Sequence, residues 1–206
     1  MDALNINFPT QPFELFVDVG LSHNAPYTRE VLKDNPNTFV IGVEPHPGNC
    51  KSVRSLQLPR FHLIEAGAYD GEGEDSLELN MMQPDPGTSS FLEPTDVLLT
   101  QGPGYSIVNK VKVKLITLES VLSTVPWDLV VGGIFNLKTD TQGFDYKVLK
   151  GLGDYINRVQ DLQIESTTHG QYEQACTQEE LFSFLNEYMN IVKIDQYGDT
   201  WLTKKK

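Results

Sequence analysis

Apolar residues in this chain fall in short runs, separated by turn residues and by stretches with helical spacing. Residues 13–19, Phe-Glu-Leu-Phe-Val-Asp-Val, predict a first strand. Pro26 opens a helix through Leu32, and Pro36-Asn37 ends it. Residues 39–44 predict a second strand stopped by Pro45, residues 47–56 a short helix, and residues 61–66 a third strand. This alternation favours right-handed crossovers and a parallel sheet. Residues 72–116 break the rhythm. Residues 75–80 and 110–115 alternate polar and apolar positions, as half-exposed antiparallel strands do. Between them, residues 83–104 are rich in Pro, Gly and Ser, and a loop of that length predicts a lid or substrate loop. The run 129–135 then predicts a strand buried on both faces, with Asp140 at its carboxyl end. Gly143 opens a helix with Phe144, Val148 and Leu152 on its apolar face, and Gly151 closes it. Residues 159–165 predict another strand. Residues 178–187 predict a helix with Thr177 as N-cap and Glu180 completing a capping box. Residues 189–194 and 200–203 close the chain as a hairpin turning near Gly198-Asp199.

The expected architecture is therefore one α/β domain over residues 1–206, a length sufficient for a real core. With 28 acidic against 16 basic residues the net charge is -12, which opposes tight binding to nucleic acid or anionic lipid. The basic run Lys204-Lys205-Lys206 reads as a solvated tail. No segment approaches the roughly 20 apolar residues of a membrane span, and no stretch has the plan of a signal peptide. Two widely spaced cysteines, Cys50 and Cys176, complete the expectation of a reduced cytoplasmic protein.

Candidate chemistry gathers at predicted strand ends, where open α/β sheets bind ligands. Asp18-Val19-Gly20 leads into Leu21-Ser22-His23-Asn24; Gly20 would let the backbone approach a bound ligand, and Asn24 could adopt a left-handed conformation. Glu44, with Pro45 after it, stands where an acid commonly accepts hydrogen bonds from ribose hydroxyls. Ala66-Gly67-Ala68-Tyr69 is small enough at Ala68 to leave room for an adenine ring, and Asp70 could serve there or only turn the chain with Gly71. His23 and His46 also sit at strand ends, whereas His62 alternates within a strand as a structural residue would. Together these point to an adenosine-containing ligand. The Gly-x-Gly-x-x-Gly clamp for a pyrophosphate is absent, which favours a ligand without phosphates, such as S-adenosylmethionine.

The ordered set of motifs resembles the FkbM-type methyltransferases. It comprises Asp18-Val19-Gly20, Val43-Glu44-Pro45-His46-Pro47, Gly87-Thr88-Ser89-Ser90, Val113 with Thr117-Leu118-Glu119, and Lys138-Thr139-Asp140-Thr141-Gln142-Gly143-Phe144-Asp145 followed by Val148-Leu149-Lys150-Gly151. The resemblance implies a class I, Rossmann-like methyltransferase sandwich. Its sheet would be mostly parallel and seven-stranded, with a C-terminal antiparallel hairpin and the inserted hairpin and lid at 72–116. It implies S-adenosylmethionine as donor and O-methylation of a hydroxyl, often on a sugar, a glycan or a glycosylated natural product. Three motifs depart from the family: Leu21-Ser22-His23-Asn24 replaces a loop usually reading Ala-Asn before a further glycine, Asp140-Thr141-Gln142-Gly143 replaces Asp-Val-Glu-Gly, and Thr117-Leu118-Glu119 replaces Thr-Leu-Asp.

Methyl transfer to a hydroxyl needs the oxygen aligned with the methyl carbon and its proton removed. Asp140 is the candidate at the end of the central strand, although an unperturbed Asp, with a pKa of about 3.9, is a weak base. It could position the hydroxyl or bind a divalent ion. Glu165 ends the neighbouring strand, and His169 has the natural pKa of a base. Asp140 and Glu165, with His169, could also form a metal site. The alternatives are a nicotinamide-dependent oxidoreductase or epimerase on a similar sheet, a non-catalytic S-adenosylmethionine-binding module, and a domain cut from a larger glycan-building enzyme.

Overall fold

The computed structural model describes residues 5–102, 104–166, 170–196 and 198–205. Ten strands form among them: β1 Phe13–Val19, β2 Thr38–Val43, β3 Phe61–Ile64, β4 Gly67–Ala68, β5 Ser76–Gln83, β6 Ser106–Ile116, β7 Val130–Thr139, β8 Val159–Glu165, β9 Met189–Ile194 and β10 Asp199–Lys204. The helices are α1 Pro26–Asp34, α2 Pro47–Ser55, α3 Asp96–Leu99, α4 Leu118–Leu122, α5 Asp145–Lys150 and α6 Gln178–Leu185.

Seven strands make one sheet in the order β3-β2-β1-β7-β8-β10-β9. β1, β2, β3, β7 and β8 run parallel, and β10 enters antiparallel between β8 and β9. The order reverses between β1 and β7, so the sheet has its switch point there, and a crevice opens at the carboxyl ends of those two strands. The main core packs Leu15, Val17, Ile41, Ile134, Leu137 and Ile164 of the sheet against Leu118 and Leu122 of α4 and Val148 and Leu149 of α5. α1 starts at Pro26, whose missing N–H costs nothing at a helix start. α6 has the capping box formed by Thr177 and Glu180.

Several expectations need correction. The third strand stops at Ile64, and the chain then switches sheets: Gly67–Ala68 pairs in parallel with Leu115–Ile116, while β5 pairs antiparallel with β6. The insertion is thus a separate three-stranded sheet in the order β4-β6-β5. β7 is longer than predicted, and its first half is not buried on both faces: Val131 is 55% exposed. The register against β1 shifts there, where Gly132-Gly133 marks an irregular stretch. α5 is only six residues long, capped by Phe144 and Gly151. α4 and a 3-10 turn at Gly153–Arg158 were not anticipated. The segment between β5 and β6 is also not structureless, since it holds a 3-10 turn at Pro86–Thr88 and the single turn of α3. Cys50 and Cys176 are free thiols.

Candidate active site

The end of β1 stays joined to both neighbours beyond the last ladder pairs: Asp140 N–H, after β7, donates to Val19 O at 3.0 Å, and Gly20 N–H donates to Val43 O of β2 at 2.9 Å. Gly20 is left-handed at φ +82°, and a Cβ there would lie 1.9 Å from the Asp140 carbonyl oxygen. The backbone that Gly20 approaches so closely is the chain's own rather than a ligand. The left-handed residues that turn the rest of this loop are Ser22 and Ala25, not Asn24.

Lys138, almost wholly buried, fastens this corner. Its ammonium donates to the Gly20 carbonyl and lies 3.5 Å from Asp18 and 3.6 Å from Asp140. Burial alone would lower its pKa, but Asp18, Asp140 and Asp145 more than offset that and hold it above the ordinary value. Asp18 also accepts from Thr28 Oγ1 of α1 at 2.7 Å.

Glu44 is buried just past β2. Its Oε1 accepts from His46 N–H at 2.8 Å and Asn49 Nδ2 at 3.4 Å, and its Oε2 from Ser22 N–H at 3.1 Å. Burial raises its pKa while these three donors oppose the rise. A carboxylate has about four acceptor sites, so Oε2 keeps capacity for one more donor. The neighbouring His46 is committed elsewhere: its Nδ1 accepts from Gly48 and Asn49 N–H as the N-cap of α2.

The candidate reacting groups lie around the loop after β7. Gln142 Nε2 donates to Asp140 Oδ1 and to Glu165 Oε2, both at 2.8 Å. Burial, and then the charges of Asp140 and Asp145, push the Glu165 pKa up to about 9. Glu165 therefore holds a proton at neutral pH beside Asp140. Asp145, at the start of α5, accepts from Thr139 Oγ1 at 2.7 Å and Thr141 N–H at 3.1 Å, and burial lifts its pKa to about 6. Tyr172 O–H is shared between Thr88 O at 2.7 Å and Gln142 Oε1 at 2.9 Å. Ser90 Oγ donates to Gln142 O at 2.8 Å. The Pro- and Ser-rich insert thus closes directly onto the loop after β7.

A cavity of about 250 Å³ lies at this corner. Of the residues expected to hold cofactor, Gly20, Ser22, Glu44, Pro45 and Ala68 line it, together with Asp140 of the expected catalytic set. Asp18, His23, Asn24, Tyr69 and Glu165 do not. Asp70 makes an Asx turn to Glu72 N–H and pairs with Lys147 and Lys150 at 3.6 and 3.7 Å. His169 lies outside the described residues. His46, expected as a strand-end histidine that could touch cofactor or substrate, and the arc from Asp85 to Phe91, within the expected lid or substrate loop, also line the cavity; sequence reasoning missed Asn49. A Cβ on Gly67 would stand 2.5 Å from the Phe91 ring, so the missing side chain is what lets that ring seat. No three metal-ligating side chains converge among the described residues, and no helix there is long and apolar enough to cross a membrane.

The residues fit an adenosine-containing ligand without phosphates. A buried acid with one spare acceptor site, Glu44, lines the cavity together with the small residues Gly67 and Ala68 and the carboxylate of Asp140. The sheet order, with this site at its switch point, is that of the class I methyltransferase fold, and the family match implies S-adenosylmethionine as methyl donor. The chain belongs to the FkbM methyltransferase family: the Methyltransferase FkbM domain matches residues 18–199. No curated protein matches the chain. Among solved structures it is similar to M. capricolum TrmK in complex with S-adenosyl-homocysteine, at 9% identity and a TM-score of 0.45, covering 95% of this chain and 64% of that one. It is also similar to Streptococcus pneumoniae Sp1610, at 11% identity and a TM-score of 0.46, covering 96% of this chain and 66% of that one. A third is a precorrin-6y C5,15-methyltransferase from Geobacter metallireducens, at 10% and 0.43, covering 93% of this chain and 79% of that one. The chain thus spans slightly less than two thirds of the first two.

Proposed function

We propose that the chain methylates a hydroxyl of a sugar, a glycan or a glycosylated natural product. The observation that carries this reading is the Asp140–Glu165 carboxyl pair, bridged by Gln142 at the rim of the cofactor cavity. When bound, S-adenosylmethionine supplies an electrophilic methyl group on its sulfonium. Glu44 would accept from a ribose hydroxyl with its spare site, and Gly20, Ser22 and Ala68, which line the same cavity, would hold the rest of the cofactor. Asp140 accepts a hydrogen bond from the acceptor hydroxyl, which orients the oxygen, and takes its proton as the carbon–oxygen bond forms. Glu165, protonated, keeps the pair at a single negative charge. Polyhydroxylated acceptors suit a wall rich in side-chain acceptors, and the insert from Asp85 to Phe91 shields the reacting atoms from water.

The test is incubation with S-adenosylmethionine and a panel of glycans and sugar conjugates, read by mass spectrometry for a gained methyl. Asp140→Asn should remove most turnover while leaving cofactor affinity nearly intact, because the charge acts on the acceptor side. Transfer to nitrogen or carbon acceptors alone would overturn the reading. Near-normal turnover of Asp140→Asn would move the chemistry to Glu165 or His169.

A further inference from the structure

Two carboxyl groups flanking a small gap invite a divalent cation, since hard cations prefer oxygen ligands. Here that gap already holds a donor. Gln142 Nε2 stands 2.8 Å from an oxygen of each carboxyl group. The end of the amide that faces them is fixed by chemistry, because Asp140 in its charged form only accepts. The other end is fixed by Tyr172, whose O–H meets Gln142 Oε1 at 2.9 Å. The backbone of Gln142 is held too, its carbonyl accepting from Ser90 Oγ. A positive charge is also already in place, since Lys138 lies 3.6 Å from the other oxygen of Asp140. A cation entering between the carboxyl groups would have to expel the amide hydrogens and break the Tyr172 contact.

We propose that Gln142 is a positioning residue that takes the place of a cation: its amide, locked by Tyr172, spaces Asp140 and Glu165 so that the acceptor hydroxyl is aligned without a divalent metal. The inference rests on the hydroxyl-methylation reading and deepens it. It assigns Tyr172 a role in the same device: without its hydroxyl the amide can rotate and present its oxygen to the carboxyl pair.

The test uses magnesium and manganese ions as probes on the purified whole chain. Calorimetry on the parent should show no saturable uptake at millimolar cation, and turnover should survive a chelator within a factor of two. Gln142→Glu places a third carboxylate in the gap and should gain saturable cation binding, with turnover that then depends on added magnesium. Tyr172→Phe should raise the acceptor KM several-fold and leave cofactor affinity unchanged. Saturable binding by the parent, or a tenfold loss on chelation restored by magnesium, would overturn the proposal. So would a folded Gln142→Glu that neither binds cation nor responds to it. If that variant does not fold, the parent's titration and chelator response still decide. The cation readout needs no acceptor, so failure to methylate any hydroxyl would sink the functional reading and leave this measurement standing.

Discussion

Glu44 serves the fold and the ligand with one carboxylate, which makes its removal costly twice over. Glu44→Ala deprives Ser22 and His46 N–H of their buried acceptor, which should lower stability by about 1–3 kcal/mol. Loss of the ribose contact should weaken S-adenosylmethionine by about 1.5–3 kcal/mol. Denaturant titration and calorimetry on one preparation separate the two, and an unchanged dissociation constant would remove Glu44 from the site. Lys138 makes a stronger demand on stability. Lys138→Met leaves Asp18 and Asp140 without their buried counter-charge and should cost about 3–5 kcal/mol, read as a shift in the urea midpoint. Glu44 could be read from the sequence because an acid directly after a buried strand stands out. Lys138 sat inside a quoted motif and gave no such signal, because its partner Gly20 is 118 positions away. Tyr172 was invisible for the same reason, as its contacts to Thr88 and Gln142 span 84 and 30 positions.

The insert between β5 and β6 is fastened rather than free. Ser90 pairs with Asn80 through reciprocal backbone bonds, Thr88 accepts from Tyr172, and Thr95 N–H donates to Gln171 O. A cavity of about 250 Å³ is somewhat smaller than the roughly 300–1,000 Å³ of most small-molecule sites, and we expect the insert to move outward when cofactor enters. Limited proteolysis should therefore cut within residues 84–104 in the free protein, several-fold more slowly once cofactor and acceptor are present. Ser90→Ala, which frees one tether, should speed cutting in the free state, and equal rates throughout would count against a lid. Strands and helices were legible wherever a pattern ran for six or more residues, as in β1, β8, α6 and the closing hairpin. α4, five residues long, and β4, two residues long, offer too little periodicity to register. In β7 the apolar run misled: hydrophobicity alone does not distinguish a buried strand from one that begins at an open end, although Gly132-Gly133 within it was a sign of irregular pairing.

The fold buries several titratable groups, and these give its stability a definite dependence on pH. Glu165 and Asp145 have folded pKa values of about 9 and about 6, above ordinary values of 4.5 and 3.8. The native state therefore binds more protons than the unfolded chain between those limits, and stability must fall as pH rises through them. Asp145 contributes its loss below about pH 6. From there to about pH 9 Glu165 contributes a slope of up to about 1.4 kcal/mol per pH unit, and burial of Asp18 and Glu44 acts in the same direction. Histidine acts in the opposite sense. Burial lowers the pKa of His46 and His62 below 6.5, so their contribution is present above that value and is lost as pH falls. For His46 the cause is concrete, since protonating Nδ1 would break the cap on Gly48 and Asn49. The expected profile is a long decline towards alkaline pH, which the histidines oppose below about pH 6.5. Glu165→Gln tests the cause directly. Glutamine matches the neutral carboxyl in size and can still accept from Gln142, so the fold near pH 6 should be almost unaffected. The alkaline slope of unfolding free energy, measured by urea titration from about pH 6 to pH 9, should flatten by most of one proton's worth. Parallel slopes for parent and variant would show that Glu165 does not carry the proton, and with it would go the single-charge description of the carboxyl pair.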